Sequence, residues 1–295
     1  MTEISLKTCY TIVGSFFKHF EGNFLINVLV GEYYGKRGFR RRLTIQDTMA
    51  LNIYRFYMEI LSLKAFHRFV RRFHRDTFPD FPNYENFLKA TNKSLPLMVV
   101  FVNSVLAKNR ERMRGRKVHF VDSTPVEVCK NSKISRHRVA RGYASRGKST
   151  KGWFFGFKLH GVCTEDMAVE SLMFTTGAVH DSRMAQEVTK DIVGKVFADA
   201  GYQLRKEDLA ALAEGGVFMH NATRKNMKRL IAKEQFDDIE RRNIIETVWS
   251  ILKGSFSLVY TKARSITGMF RHFFYSIAAF LLSHSHLDFR LALAY

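Results

Sequence analysis

The stretch WFFGFKLHGVCTEDMAVESLMFTTGAV, residues 153–179, decides the fold class. Trp153 to Cys163 and Val169 to Val179 are two apolar, β-prone runs, and Thr164-Glu165-Asp166-Met167 between them makes a good hairpin connection. Upstream, Val118-His119-Phe120-Val121 is a third run of the same texture. Downstream, the pattern predicts a helix over about 181–193, a strand at Lys195 to Ala198, a helical stretch near 205–214 and a strand at Val217-Phe218-Met219. Helices fill the remainder. Three strands able to pair antiparallel, followed by two strands reached through helices, make a mixed α/β sheet.

Residues 1–107 read differently. Thr44 with Asp47 is a helix start signal. After it, Met49, Ile53, Phe56, Tyr57 and Ile60 recur at helical spacing. Leu61-Ser62 suggests a turn, with Ser62 capping a second helix. That helix carries Phe66, Phe69, Val70 and Phe73 on one side and Arg68, Arg71, Arg72 and Arg75 towards the other. Such a pair suits a DNA-binding helical domain and equally an ordinary bundle with a solvated basic face. Pro79 and Pro82 interrupt the pattern, and helix resumes over Tyr84 to Thr91 and Leu95 to Lys108. Lys108, Arg110, Arg112, Arg114, Arg116 and Lys117 form a basic connector, which places a domain boundary near 110–117. The expected fold is a ribonuclease H-like mixed sheet flanked by helices over 117–295, behind an all-α domain over 1–110.

Composition narrows the function. The chain has 295 residues, 46% of them hydrophobic and only four Pro, which excludes a disordered tail protein. Cys9, Cys129 and Cys163 are too few and too scattered for a disulfide framework and read as reduced thiols of a cytosolic protein. The first 17 residues lack a signal-peptide pattern. The apolar runs Leu95 to Leu106 and Phe273 to Leu282 are short of the ~20 residues of a membrane span and read as core helices. Lys and Arg number 47 against 27 Asp and Glu, a net charge of +20. The excess is clustered: residues 119–164 carry nine basic and two acidic side chains, whereas 165–240 carry ten and fourteen. No Lys or Arg between Cys129 and Thr164 has an acidic neighbour, which points to a polyanion, nucleic acid above all. The stretch is Gly-rich and has no amphipathic-helix period, which disfavours a membrane surface.

Carboxylates supply the candidate chemistry. Asp122 is expected at the C-terminal end of the first strand and Asp199 at the end of the fourth, where open α/β sheets form their sites. Two carboxylates buried together need a cation, and hard oxygen donors suit Mg²⁺ or Mn²⁺. Asp181 also follows a strand, but it begins a helix whose N–H groups can satisfy it. Asp199 has Gly201 after it and nothing local to meet its charge, which a metal explains better. In RRNIIETVWSILK, residues 241–253, a spacing of about 100° per residue puts Arg242, Glu246, Trp249 and Lys253 on one exposed face. Ile244, Val248, Ile251 and Leu252 fall on the buried one. Alone, this helix reads equally as carrying a surface Arg–Glu pair worth a few tenths of a kcal/mol.

The Asp…Asp…Glu order with this helix resembles the DDE transposases of bacterial insertion sequences, most closely the family numbered nine hundred and eighty-two. FPDFPNYENF, FVDSTPVEVC, GKSTKGWFFGFKLHGV, VFADAGY, TRKNMKR and RRNIIETVWSILK carry the resemblance, over about residues 45–285. Related transposases often have Tyr three residues before the Arg, where this chain has Ile239. The span from Asp199 to Glu246 leaves no room for the large insertion of some relatives. The resemblance implies that Asp122 bridges two divalent ions, Mg²⁺ or Mn²⁺, with Asp199 on one and Glu246 on the other. It implies strand cleavage by water and attack of the freed 3′-OH on target DNA. Arg242 and Lys253 would hold phosphates, and Lys148, Lys151 and Lys158 would line the DNA groove. Arg138, Arg141 and Arg146 of the basic stretch, with Arg68, Arg71 and Arg72, complete the expected DNA contacts. The partners implied are double-stranded DNA, as element ends and target, and further copies of the chain in a dimer or larger oligomer. The implied setting is the bacterial cytoplasm at the nucleoid, with no membrane.

Rival readings share these residues: a decayed or repurposed copy that binds DNA without activity, or a nuclease on the same fold that does not join strands. GYASRGKS, residues 142–149, spells a phosphate-binding loop by letters but lacks the strand before it and the helix after it. His160, alone on a strand, could touch DNA but reads as structural.

Overall fold

The computed structural model describes residues 4–35, 42–221, 243–259 and 261–284. In chain order the elements are helices α1 (Leu6–His19), α2 (Phe24–Tyr34), α3 (Ile45–Tyr57), α4 (Leu63–Phe73), α5 (Tyr84–Lys93) and α6 (Leu95–Arg112). Strands β1 (Val118–Cys129), β2 (Ser145–Ser149), β3 (Gly152–Thr164) and β4 (Val169–Thr176) follow. Then come α7 (Ala185–Thr189), β5 (Gly194–Ala198), α8 (Lys206–Glu214), β6 (Val217–Asn221), α9 (Asn243–Gly254) and α10 (Ile266–His284). Two compact units result, Met1–Ser104 with Gly254–Tyr295, and Val105–Lys253. The chain thus passes between units near 104 and again near 254, whereas a division at 110–117 passes once.

In the helical unit the start signals act locally. Thr44 Oγ1 accepts from the Asp47 N–H, and Asp47 Oδ2 accepts from the Thr44 N–H, a closed capping box on α3. Ser62 Oγ accepts from the Ala65 N–H and caps α4. Phe66 and Val70 of α4 are buried against Leu51 of α3 and Phe87 of α5. Arg68, Arg71 and Arg72 are exposed. Phe73, expected on the packed side, is 63% exposed because α4 ends there; the Arg72 guanidinium lies over its ring. α10 is long and apolar enough to cross a membrane by length and composition, but most of its side chains are buried. Tyr57 Oη donates to Ala279 O and Tyr275 shares a 2.6 Å hydrogen bond with Ser94, so α10 is a core helix of this unit.

The second unit is built on a mixed sheet of order β2-β3-β1-β5-β6, with β4 also on β3. β1 pairs antiparallel with β3 and parallel with β5, and β5 is parallel with β6. β2 and β4 share the other edge of β3, opposite residues 152–156 and 157–163. The β3–β4 connection is the expected hairpin: Met167, at φ 57°, donates to Thr164 O, and Thr164 donates to Ala168 O. Val121, Val162, Val196 and Ala198 pack with Val188 of α7 and Leu212 of α8 into one core.

Three expectations change. β1 does not stop at Val121 but runs to Cys129, because Asp122 through Glu127 continue the ladder to β3. The helix expected over 181–193 is a 3₁₀ turn, Asp181–Met184, followed by five residues of α-helix; beyond them a turn carries Ile192 into the core. β2 was not anticipated. It depends on Gly147, where a Cβ would stand 2.2 Å from Gly177 O and 2.5 Å from Phe154.

Candidate active site

Asp122 therefore sits within β1, not at its end, opposite Gly161 of β3. On the other side the parallel ladder pairs Phe120 with Phe197 and Val121 with Ala198. The next residue of β1 is Asp122 and the next after β5 is Asp199, so register alone makes the two carboxylates neighbours. Asp199 is not left unmet by its own segment, as the sequence suggested: its Oδ1 accepts from the Ala200 N–H and caps the turn Ala200–Tyr202.

Helix α9 buries Ile245, Val248, Trp249 and Leu252. Trp249 was expected on the exposed face; it turns inward because Gly161 leaves room for the indole. A Cβ on Gly161 would stand 2.6 Å from Trp249 Cη2. The indole Nε1 donates to Asp122 Oδ2 at 3.2 Å. Glu246 and Lys253 lie three residues before and four after Trp249, on the same side of the helix. Glu246 is exposed and Lys253 half-buried. Burial, then the neighbouring Lys151, push the Lys253 ammonium down to about 8, against the attraction of Glu127 and Asp122. Arg242, Ile239 and the TRKNMKR segment at 223–229 lie outside the described residues.

The opposite face of the β1–β3 ladder brings together Asp181, Lys158 and His160, expected from the sequence in three separate roles. Asp181 Oδ1 accepts from Ser123 Oγ at 2.7 Å and from Lys158 Nζ at 3.0 Å. The expected capping role falls instead to His180, whose Nδ1 accepts from the Ser182 N–H. Lys158 is only 9% exposed and also donates to Val179 O, so it faces the protein interior and not a DNA groove. His160 is buried, with Nε2 on Thr175 Oγ1 at 2.9 Å and Nδ1 3.8 Å from Asp181. Burial pushes its pKa down to about 4, with Asp181 opposing and Lys158 reinforcing. Tyr202, of the VFADAGY segment, is buried with its hydroxyl unpaired. Burial first, then Asp181, Asp122 and Asp199, hold that hydroxyl well above the usual tyrosine range.

Among the described residues no group of three or more His, Cys, Asp or Glu is gathered to hold a metal ion. The donor chemistry still fits a hard divalent cation. Asp122 and Asp199 follow the paired residues Val121 and Ala198 of the parallel ladder, and with Asp181 these oxygen donors concentrate negative charge around a neutral phenol.

Arg138, Arg141, Arg146, Lys148 and Lys151 are exposed. Trp153, read only as a strand former, is 62% exposed, and Lys148 Nζ lies 5.9 Å from its ring centroid. Gly147-Lys148-Ser149 belongs to β2, so the letter match to a phosphate-binding loop has no such loop behind it. The three cysteines are free thiols.

A family model described as the transposase DDE domain matches residues 112–266, more than half of the chain. No curated protein and no solved structure matches it.

Proposed function

Because this chain belongs to the transposase DDE domain family, we propose that it binds the ends of its own insertion sequence and cleaves and joins DNA there. The observation that carries the reading is the β1–β5 register, which sets Asp122 beside Asp199, with the helix of Glu246 fixed to Asp122 through Trp249. Four strands in antiparallel pairing, β1 to β4, followed by β5 and β6 running parallel to β1, support a ribonuclease H-like sheet. The catalytic region is then the unit Val105–Lys253, and the helical unit, Met1–Ser104 with the residues from Gly254 on, serves DNA binding.

In this reading Asp122, Asp199 and Glu246 hold Mg²⁺ or Mn²⁺. Such ions, when bound, stabilise the attacking and leaving oxygens of a displacement at phosphorus. The Trp249 indole N–H holds one oxygen of Asp122 and so orients the carboxylate. Lys253, cationic at neutral pH, and Lys151 hold phosphates beside the carboxylates, with Arg242 the expected third cation. The exposed Arg138, Arg141, Arg146 and Lys148 track the DNA backbone, and Arg68, Arg71 and Arg72 do so from the helical unit. The reaction is hydrolysis of a phosphodiester to free a 3′-OH, followed by attack of that hydroxyl on target DNA. A dimer or higher oligomer at the nucleoid brings two ends together.

The test is purified protein with Mg²⁺, a labelled candidate element end and a target plasmid. Cleavage with joining is the expected result. Cleavage alone would make the protein a nuclease, and binding alone a decayed or repurposed copy.

A further inference from the structure

The helical unit holds an open cavity of about 460 Å³ with no carboxylate among the described residues that line it. Two guanidinium groups line it, Arg55 at 2% exposure and Arg271 at 7%. Arg55 donates through Nη1 to Leu61 O, and its Nε and Nη2 have no partner. Arg271 donates through Nη1 to Asn92 Oδ1, and its Nε has none. A structural role for Arg55, closing the turn after α3, accounts for one of its donors only. It does not account for a second buried guanidinium of the same sign close by.

Buried cations are ordinarily paired, and unpaired buried donors are rare. Burial and mutual repulsion hold Arg55 at about 9, so it keeps its charge at neutral pH. Exposed Lys64, Lys262 and Arg264 also line the cavity. α4 and α10 begin in its wall, capped by Ser62 and Ser265, and add the positive ends of two helices. Among the described residues that line the cavity every charge is positive, and the spare buried guanidinium donors have no hydrogen-bond acceptor.

We propose that this cavity binds a phosphate group, held by the guanidinium groups of Arg55 and Arg271 with Lys64, Lys262 and Arg264 around it. The guanidinium fork matches phosphate oxygens in pairs. A cavity lined by buried arginines suits a terminal phosphate or a free one better than an internal phosphodiester, whose chain must continue on both sides. All of these residues lie in the helical unit, so the inference does not depend on the carboxylate site.

The experiment titrates sodium phosphate into the full chain against sodium chloride at equal ionic strength, followed by calorimetry and thermal melting. Saturable phosphate binding with a raised melting temperature is expected, and Asp122→Asn should retain it. Arg271→Met should abolish the binding yet melt in chloride no lower than wild type, since one of two like buried charges is gone. Lys64→Ala, on the surface, should weaken binding about tenfold. Oligonucleotide twins with a 5′-phosphate or a 5′-hydroxyl distinguish the source. A preference for the phosphorylated twin that Arg271→Met loses identifies a nucleic-acid end; equal twins with retained phosphate binding identify a free phosphate or small phosphate ester. Absence of saturable phosphate binding, or binding unchanged in both variants, overturns the proposal.

Discussion

The indole Nε1 of Trp249 donates to Oδ2 of Asp122, and the far edge of the same ring fills the space left by Gly161, the ladder partner of Asp122. One glycine on β3 thereby decides how close α9 comes to the central strand.

Gly161→Ala should lower stability by about 2 kcal/mol, as over-packing does. The new Cβ meets Trp249 at 2.6 Å, Leu172 at 2.9 Å and Ser171 O at 3.1 Å, and the backbone oxygen cannot step aside. Trp249→Phe keeps the apolar ring, loses the donor and should cost about 1 kcal/mol, with a larger loss in strand cleavage. Equal melting temperatures and equal cleavage in both variants would show that α9 does not position Asp122.

Asp122→Asn, Asp199→Asn and Glu246→Gln should each abolish cleavage while DNA binding survives. Metal ligation needs the charge, and the amide is nearly isosteric. At position 199 the Asn side-chain oxygen can still accept from the Ala200 N–H, so the turn should hold. Gel shift and cleavage on the same samples decide: cleavage above a tenth of wild type in any one variant removes that residue from the site.

Asp181→Ala strands the Lys158 ammonium and the Ser123 hydroxyl in the interior. The loss of a charge-assisted bond there should lower stability by about 2 kcal/mol. Adding Lys158→Met should recover much of it, because the uncompensated charge is then gone. Additive costs in a double-mutant denaturation cycle would mean the pair is not coupled.

Replacing Arg138, Arg141, Arg146 and Lys148 by Ala should weaken DNA binding alike for every sequence. Each side chain that no longer neutralises a phosphate should flatten the slope of log K against log salt by about 0.9. An unchanged slope would place this surface off the DNA.

Acid should loosen the sheet unit through His160. Its folded pKa of about 4 lies below the ordinary ~6.5. The unfolded chain therefore binds the extra proton first, and stability present above pH ~6.5 is lost as the pH falls towards 4. His119 has the opposite sign. Burial lowers its pKa, but the hydrogen bond and charge of Glu170, with backbone hydrogen bonds to Val193 and Arg116, together more than offset that, so its contribution holds below ~6.5 and fades as pH rises through the raised value. Denaturation midpoints for His160→Gln should fall less steeply between pH 6.5 and 4 than those of wild type; parallel curves would refute this account.

Much of the architecture could be read from neighbouring residues. The Thr44–Asp47 box, the Ser62 cap, the Thr164–Met167 hairpin and the strands at 195–198 and 217–219 all depend on chemistry within a few positions, and all occur. β2 escaped notice because Ser145-Arg146-Gly147-Lys148-Ser149 has no apolar alternation; its edge position on β3 needs none.

Sequence alone therefore determined the local elements, the clustered positive charge and the order of acidic residues. Tertiary structure decided which of those acids meet. A helical wheel could not tell which side of α9 turns inward, since both sides carry large apolar residues; the space over Gly161 settles it. Capping rules assigned Asp181 to its own helix, yet its partners Ser123 and Lys158 lie 58 and 23 residues away. Nothing near Arg55 or Arg271 in the chain marks either residue, and only the packing of α3 and α10 brings them to one cavity. Hydrogen bonds and burial act across space, and a carboxylate or guanidinium takes the nearest partner in the fold regardless of its distance along the chain.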